Sequence, residues 1–321
     1  MKFNSNNTMM FILMNMSILM IMSSNNILYS WISMEINLFV FMPLISESKK
    51  MKDHPMKYFI IQSLSSSTML MSILFNSFID SPINSSIILM ISMLMKSGMV
   101  PFHIWVPNLM YKLTWNMCLT ISTIQKIPPT IIISQLTNFN LLIMPMVLSL
   151  TVGPLAALNQ LSMKKIMAYS SISSSPWMIS SLFISNQMFM LFLITYSMIL
   201  LTIMVLFKKF NLNFINQMNS NNKNFNFTII ISSISLSGMP PTTGFTPKWM
   251  ILSKMNEISM ILSSTMIISS FMLTFVYLKM SKMLMMNNMM KKKNNKKNMF
   301  NNLFNIINLV GLPLTMILKS T

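Results

Sequence analysis

Four ionisable side chains lie inside long apolar stretches of this sequence. Lys96, Lys126 and Lys248 are each within or beside such a stretch, and Glu35 lies well inside another. A charged residue at the centre of a membrane helix costs about 2.5–3.5 kcal/mol on insertion scales, so it usually faces a bundle interior or a hydrated cavity. Amines and carboxylates in such places line ion pathways or relay protons. The four residues are therefore predicted to face the bundle interior and to line an ion pathway or relay protons.

Two of the apolar stretches are interrupted by glycine and proline. Residues 96–105 read Lys-Ser-Gly-Met-Val-Pro-Phe-His-Ile-Trp, and residues 238–249 read Gly-Met-Pro-Pro-Thr-Thr-Gly-Phe-Thr-Pro-Lys-Trp. Proline removes a backbone donor and clashes with the preceding helical turn. Broken helices in corresponding halves of a chain are typical of transporters, where they line the ion path. Two alternatives stay open: a simple proline kink, and a Lys248 amine that extends to the membrane interface.

The elements that must position these residues are membrane-spanning helices. Of 321 residues, 53% are hydrophobic and only 9% are charged, whereas soluble domains carry about 25% charged residues. A spanning helix needs about 20 mostly apolar residues. The fold class predicted is an all-α polytopic membrane protein with about eleven transmembrane helices, at 8–26, 27–46, 57–78, 83–104, 115–133, 141–158, 165–184, 187–207, 225–251, 256–279 and 301–318.

The lysines are distributed in a way that supports this topology. The net charge is +18, all 23 basic residues are lysine, and most of them lie near the N-terminus or in loops that follow even-numbered segments. This one-sided distribution is what the positive-inside rule produces, so the N-terminus is predicted on the positive side and the C-terminus opposite. A nucleic-acid-binding protein would instead carry its lysines on one folded face. We therefore predict no nucleic-acid partner.

The remaining composition limits other kinds of chemistry. A single cysteine, Cys118, excludes an intrachain disulfide and any all-cysteine zinc or iron–sulfur site. No metal, flavin or quinone motif is found, so no cofactor is predicted in this chain. The first apolar stretch could be a signal peptide, but no small-residue cleavage site follows it. An uncleaved first span is the preferred interpretation.

Seven short motifs carry a resemblance to a known family. In chain order they occupy residues 31–38, 57–62, 96–105, 125–128, 159–172, 238–241 and 244–249. Together they resemble the antiporter-like membrane subunits of mitochondrial NADH–ubiquinone oxidoreductase (complex I), in particular the chain 2 family in an arthropod-like, AT-rich form. The resemblance runs from about residue 28 to 255, whereas residues 280–321 match by hydropathy only.

The resemblance implies an architecture and a setting. The expected fold is an antiporter-like inverted-repeat bundle with two discontinuous helices: a first repeat at about 27–133, a second at about 141–279 and a C-terminal helix at about 301–318. The chain would lie in the mitochondrial inner membrane, with its N-terminus on the matrix side and its C-terminus on the intermembrane-space side. Its partners would be the other membrane-arm subunits and membrane lipids. NADH, FMN, iron–sulfur clusters and ubiquinone would be bound in other subunits, so this chain would be a non-redox part of the enzyme.

The resemblance also implies residue roles. Glu35 and Lys96 would be a coupled glutamate–lysine pair, Lys126 the central relay lysine, and Lys248 the lysine that passes protons on. His103 matches a histidine of the first broken helix, where a proton-relay role and a polar packing role are both open. Burial disfavours the charged form of a lysine and a nearby carboxylate favours it, so a moving partner can make a lysine take up or release a proton.

Two positions depart from the family pattern. Ser174 lies where the family usually has a histidine, and Thr242 replaces a usual phenylalanine. A proton-relay role for that histidine is therefore in doubt here, or is taken over by water and serine hydroxyls.

Three alternative functions remain open. The first is a stand-alone cation/proton antiporter, which would normally keep fourteen helices. The second is a structural spacer subunit with inert buried lysines. The third is a copper transporter, suggested by the methionines at 283–290, because thioethers bind Cu(I). Since Met is found 43 times in the chain and fills apolar cores well, such clusters also arise without metal binding.

Overall fold

The computed structural model describes residues 5–46, 53–78, 82–217 and 223–289, and their regular structure is α-helical. Within these ranges no β-strand is formed; a single isolated bridge pairs Ser162 with Phe214. An all-helical fold is the expected result for an apolar chain in lipid, because a helix satisfies its backbone hydrogen bonds within one segment. The predicted all-α class is confirmed.

The chain divides into two compact units, Met1–Leu148 and Ser149–Thr321. The helices that begin in the first unit are α1 Ser5–Ser23, α2 Ile27–Ser46, α3 Asp53–Phe78, α4 Pro82–Ser97, α5 Trp105–Lys112, α6 Trp115–Ser122, α7 Ile127–Leu136 and α8 Phe139–Leu158. Those of the second are α9 Met163–Ile184, α10 Asn186–Lys209, α11 Lys223–Ser237, α12 Phe245–Ile258 and α13 Met260–Met289. The predicted inverted repeats remain a prediction.

Five stretches of the described helices are long and apolar enough to cross a membrane: Ile27–Ser46, Pro55–Asn76, Phe139–Leu158, Asn186–Lys209 and Met260–Lys282. Three more are apolar but shorter: Asn7–Ser23, Ser86–Ser97 and Asn226–Ser237. The chain is therefore polytopic, while the predicted number of eleven spans remains a prediction. The predicted helix at 301–318 lies outside the described residues, as do several of the loop lysines.

Serine is accommodated inside this apolar bundle by local hydrogen bonds. Buried hydroxyls donate to the carbonyl three residues earlier, as Ser33 does to Ser30 at 2.8 Å and Ser72 does to Met69 at 2.6 Å. Each of these bonds satisfies a polar group that could find no water in lipid. Serines can therefore line helix contacts at little cost, and they leave lone pairs free for further hydrogen bonds.

In the first unit, α1 packs on α2, α2 on α3, α3 on α4, and α4 on α7. The indole Nε1 of Trp31 donates to the Ser66 carbonyl at 3.0 Å and thereby joins α2 to α3. In the second unit, α9 packs on α10 and α12, and α11 packs on α10 and α13. Most of α9 is buried, and Trp177 on it is 1% exposed. Both units thus enclose side chains away from lipid.

The helix boundaries differ from the prediction at several points, and two of these differences have a clear physical reason. The predicted span 115–133 is divided into α6, a 3-10 turn at Ile124–Lys126, and α7. The physical reason is that Pro128 and Pro129 have no backbone N–H and suit only the first turn of a new helix. Beyond the predicted end at 279, α13 continues to Met289, because lysine and methionine are good helix formers. The predicted span 256–279 therefore ends too early.

Candidate functional site

Lys96 and Lys126 line one cavity in the first unit, although they are thirty residues apart in the sequence. Lys96 is 8% exposed and Lys126 is 3% exposed. The cavity volume is about 30 Å³, enough for about two water molecules, since one water needs roughly 10–15 Å³. The structure therefore brings two of the predicted relay lysines to a common space that can be hydrated.

Lys96 is the next-to-last residue of α4, and the turn that follows this helix fixes its position. Gly98, directly beyond this helix, has a φ of +68°, a left-handed conformation that favours glycine. A Cβ atom added to Gly98 would overlap Val106 of α5. The indole Nε1 of Trp105 donates to the Met95 carbonyl at 3.2 Å, which satisfies one of the last acceptors of α4. The glycine and the tryptophan of the 96–105 motif thus fix the turn that places Lys96.

Glu35 lies on α2 and interacts electrostatically with Lys96. Glu35 is half-buried, whereas Lys96 is buried. In the part of the chain that the structure describes, the two side chains form no direct salt bridge. The predicted coupling between them in proton transfer remains a prediction.

A pair of side-chain amides joins α2, which carries Glu35, to the 3-10 turn that contains Lys126. Asn37 Nδ2 donates to Gln125 Oε1 at 3.2 Å, and Gln125 Nε2 donates to Asn37 Oδ1 at 3.1 Å. Asn37 is 3% exposed, and both side chains line the cavity. Neither received a role from the sequence. The sequence signal that could have identified them is an amide side chain beside a buried charge. Asn37 lies two residues after Glu35, and Gln125 directly precedes Lys126.

Helix α3 adds two neutral polar side chains to the cavity wall. Gln62 Nε2 donates to the Lys96 carbonyl at 3.5 Å, a long hydrogen bond. Tyr58 packs edge-on against Phe41 at 5.4 Å and near Trp105 at 5.9 Å, measured between ring centroids. Both residues belong to the 57–62 motif, which the sequence linked to the family without assigning a function. The wall around the two lysines thus combines uncharged polar side chains with apolar ones.

Lys248 occupies a different kind of site, in the second unit. Its amine donates to the carbonyls of Leu236 at 2.9 Å and Ser237 at 2.8 Å, which are the last residues of α11. The same nitrogen lies 5.6 Å from the centroid of the Trp177 ring. A helix C-terminus has free carbonyls and a negative partial charge, and an aromatic face also attracts cations. This site therefore offers the amine two carbonyl acceptors and an aromatic face.

Gly238 makes the approach of Lys248 possible. Its φ is +84°, and a Cβ atom added there would lie 2.7 Å from Cδ of Lys248. Any other residue would both strain the backbone and displace the lysine chain. The 238–249 motif is thus explained by the way its own lysine folds back over its own glycine.

His103 and Ser174 lie outside the contacts described for the three lysines. His103 is half-buried in the segment between α4 and α5, with Nδ1 3.3 Å from the Pro101 carbonyl. Among the described residues that line the lysine cavity, His103 is absent. Ser174, at the position of the family histidine, donates to the Tyr196 hydroxyl at 3.0 Å. The relay roles of Glu35, Lys96, Lys126, Lys248 and His103 remain predictions.

Across residues 5–46, 53–78, 82–217 and 223–289, no group of three His, Cys, Asp or Glu side chains is placed to hold a metal ion. Most of the methionine clusters that suggested copper lie at 283–290, where side chains are outside the description. The expectation that the chain carries no cofactor stays a prediction.

The chain is similar to known membrane proteins. The family model for the transmembrane region of NADH:quinone oxidoreductase and Mrp antiporter subunits matches residues 24–274. Since this match spans most of the chain, the chain belongs to that family of membrane subunits.

Within this family, the chain is similar to relatives that share one name. The chain is 32% identical to NADH-ubiquinone oxidoreductase chain 2 of Anopheles gambiae, over 95% of this chain and 96% of the relative. It is 35% identical to the protein of the same name from Locusta migratoria, over 79% and 78% of the two chains. The resemblance to mitochondrial NADH–ubiquinone oxidoreductase chain 2 in an arthropod-like form is confirmed.

Solved structures share the fold. A chain of respiratory complex I from Thermus thermophilus superposes with a TM-score of 0.85 at 17% identity, covering 98% of this chain and 80% of that one. A chain of the Mrp complex from Dietzia gives a TM-score of 0.74 at 12% identity, covering 84% and 59%. The fold is therefore the one shared by complex I and Mrp-type membrane complexes.

Proposed function

We propose that this chain is a membrane-arm subunit of mitochondrial NADH:ubiquinone oxidoreductase that conducts protons through Glu35, Lys96, Lys126 and Lys248. The family membership supports the subunit role. The observation that carries the proton-conducting role is the cavity shared by Lys96 and Lys126. The redox chemistry that drives transfer belongs to other subunits, which would also bind NADH, FMN, the iron–sulfur clusters and ubiquinone.

The first steps take place in the first unit. While Glu35 is close, its negative charge holds Lys96 in the charged form; when this interaction weakens, burial favours the neutral amine. The proton then passes from Lys96 through water in the cavity to Lys126. A bridging water costs little, since it replaces a direct hydrogen bond at nearly equal enthalpy.

The next step carries the proton to Lys248, and this step rests on the family resemblance. At Lys248 the carbonyls of Leu236 and Ser237 and the Trp177 ring receive the charged amine. Such a site stabilises the proton until the next acceptor takes it.

The proposed setting follows the family. The chain would cross the inner mitochondrial membrane about eleven times, with the interrupted segments at 96–105 and 238–249 acting as discontinuous transmembrane helices. The N-terminus would face the matrix and the C-terminus the intermembrane space. Neighbouring membrane-arm subunits and lipids would cover the exposed apolar faces.

Replacement of Lys126 tests the relay. In the assembled complex, Lys126→Gln keeps a polar side chain of similar length but cannot carry a proton at neutral pH. We expect proton transfer through this subunit to slow on the order of 100-fold, the lower end for loss of a positioned proton-transfer group. The measurement is the number of protons pumped per NADH in proteoliposomes. Lys112→Gln is the matched control, because Lys112 is exposed at the end of α5. Unchanged pumping by assembled Lys126→Gln complex would refute the relay.

A structural spacer is the second candidate, and the contacts of Lys248 favour it at that position. Its amine caps α11, a role that needs charge but no proton transfer. Under this alternative, Lys248→Met would reduce assembly and leave pumping per assembled complex unchanged. The stand-alone antiporter is tested by purification, since only a subunit of the oxidoreductase would co-purify with flavin and iron–sulfur proteins.

A further inference from the structure

Asn37 and Gln125 form a reciprocal amide pair between α2 and the 3-10 turn at Ile124–Lys126. Their two hydrogen bonds measure 3.2 and 3.1 Å. The Nε2 atom of Gln125 carries two protons, and it also donates to Sδ of Met14 at 3.4 Å. Met14 is fully buried and lies on α1. The Gln125 side chain is therefore fixed from two neighbouring helices.

The turn that contains Gln125 lacks two hydrogen bonds that a regular helix would have. Within the turn, the Lys126 N–H donates to the Thr123 carbonyl at 3.2 Å. In a continuous α-helix, the N–H groups at positions 128 and 129 would donate to the carbonyls four residues earlier. Both positions are proline, which has no N–H. The direction of this turn therefore depends on side-chain contacts more than that of a regular helix does.

The residue that this turn places is Lys126. Gln125 directly precedes it in the sequence, and both line the cavity of about 30 Å³ that Lys96 also lines. Asn37 is 3% exposed and borders the same cavity. Because adjacent residues of one turn move together, rotation of the turn would displace the Lys126 side chain from the cavity wall. The amide pair thus holds the turn on which the position of Lys126 depends.

We infer that Asn37 and Gln125 are positioning residues for the proton step at Lys126. This inference rests on the proposed function and extends it to two neutral side chains that carry no proton themselves. Their amides hold the turn so that Lys126 borders the cavity it shares with Lys96. Because Asn37 lies on the helix that carries Glu35, the pair also ties the position of Lys126 to that helix. A misplacement of about 1 Å can slow a catalysed step by about 100-fold.

The first test removes the amide of Gln125 and keeps the length of its side chain. In the assembled complex, we expect Gln125→Met to slow proton transfer through this subunit by about 10- to 100-fold. The number of protons pumped per NADH in proteoliposomes should fall accordingly. The exchange variant, Asn37→Gln with Gln125→Asn, keeps both amides and their summed length, so it should restore pumping. Gln135→Met is the matched control, because Gln135 is exposed on α7.

Two further measurements separate positioning from helix attachment. Loss of attachment alone lowers the amount of assembled complex, whereas loss of positioning slows the proton step itself. Coupled NADH oxidation by Gln125→Met should therefore show a larger solvent isotope effect in deuterium oxide than the native complex does, because proton transfer becomes rate-limiting. The double variant Asn37→Leu with Gln125→Leu leaves no unpaired amide and should assemble better than either single leucine variant. It should still pump as poorly as Gln125→Met.

The outcomes that would overturn the inference are distinct from those that would overturn the proposed function. Normal pumping per assembled complex by Gln125→Met or by the double leucine variant contradicts the inference. So does an unchanged isotope effect, or an exchange variant that pumps no better than Gln125→Met. If Lys126→Gln itself pumps normally, the proposed function fails at that lysine. If Lys126→Gln fails to pump and the Gln125 variants pump normally, only the inference fails.

Discussion

At the scale of single residues, the lysines of this protein differ in what surrounds them. Lys126 borders a small cavity shared with Lys96, whereas Lys248 donates to helix carbonyls and lies over an aromatic ring. Similar residue types in similar apolar segments therefore have different immediate surroundings.

The amide pair Asn37–Gln125 gives a prediction at this scale. Gln125→Leu leaves the buried Asn37 amide without its partner and should destabilise the first unit by about 1–3 kcal/mol. Replacing both residues by Leu should cost less than the sum of the single changes, because no orphaned amide remains. The measurement is the temperature at which the assembled complex is lost. Asn108→Leu, at an exposed position, should have little effect; additive losses in the double variant would contradict the pairing.

At the scale of elements, the helix ends decide where the lysines lie. The prolines and glycines of 96–105 and 238–249 predicted interruptions, and α4 and α11 end at Ser97 and Ser237. The break at Ile124–Lys126 was missed, although Pro128 and Pro129 follow it. These prolines lie within a strongly hydrophobic stretch, and hydropathy averaged over a segment does not register a single broken turn.

A substitution at Gly238 tests whether the end of α11 positions Lys248. Gly238→Ala forces a left-handed residue with a Cβ, which costs about 1–2 kcal/mol, and pushes Lys248 off the α11 carbonyls. We expect less assembled complex, quantified by native gel electrophoresis. In a Lys248→Met variant, the methionine side chain can move away from the added Cβ more easily than the lysine. Gly238→Ala should therefore cause a smaller loss of assembled complex in that variant. An equal loss in both backgrounds would mean that the lysine contact is unimportant.

At the scale of the whole molecule, the charge distribution sets the predicted orientation. Lys208 at the end of α10 should face the matrix, and Lys254 near the end of α12 should face the intermembrane space. Both side chains are exposed. In mitoplasts, a membrane-impermeant maleimide should label Lys254→Cys and should label Lys208→Cys only after permeabilisation. The single native Cys118 is buried and gives little background. The reverse pattern of labelling would invert the topology.

The sequence by itself determined the class of protein, the all-helical membrane fold and the lysines that lie in apolar segments. These properties depend on local composition, because insertion into lipid is governed by the hydropathy of one segment and the charges beside it. The tertiary structure alone decided which side chains come together. It placed Lys96 and Lys126 on one cavity, and it paired Asn37 with Gln125, Lys248 with the end of α11, and Ser174 with Tyr196. Such contacts depend on how each helix is rotated and where it stops against its neighbours, and close packing settles this only when all the helices are in place.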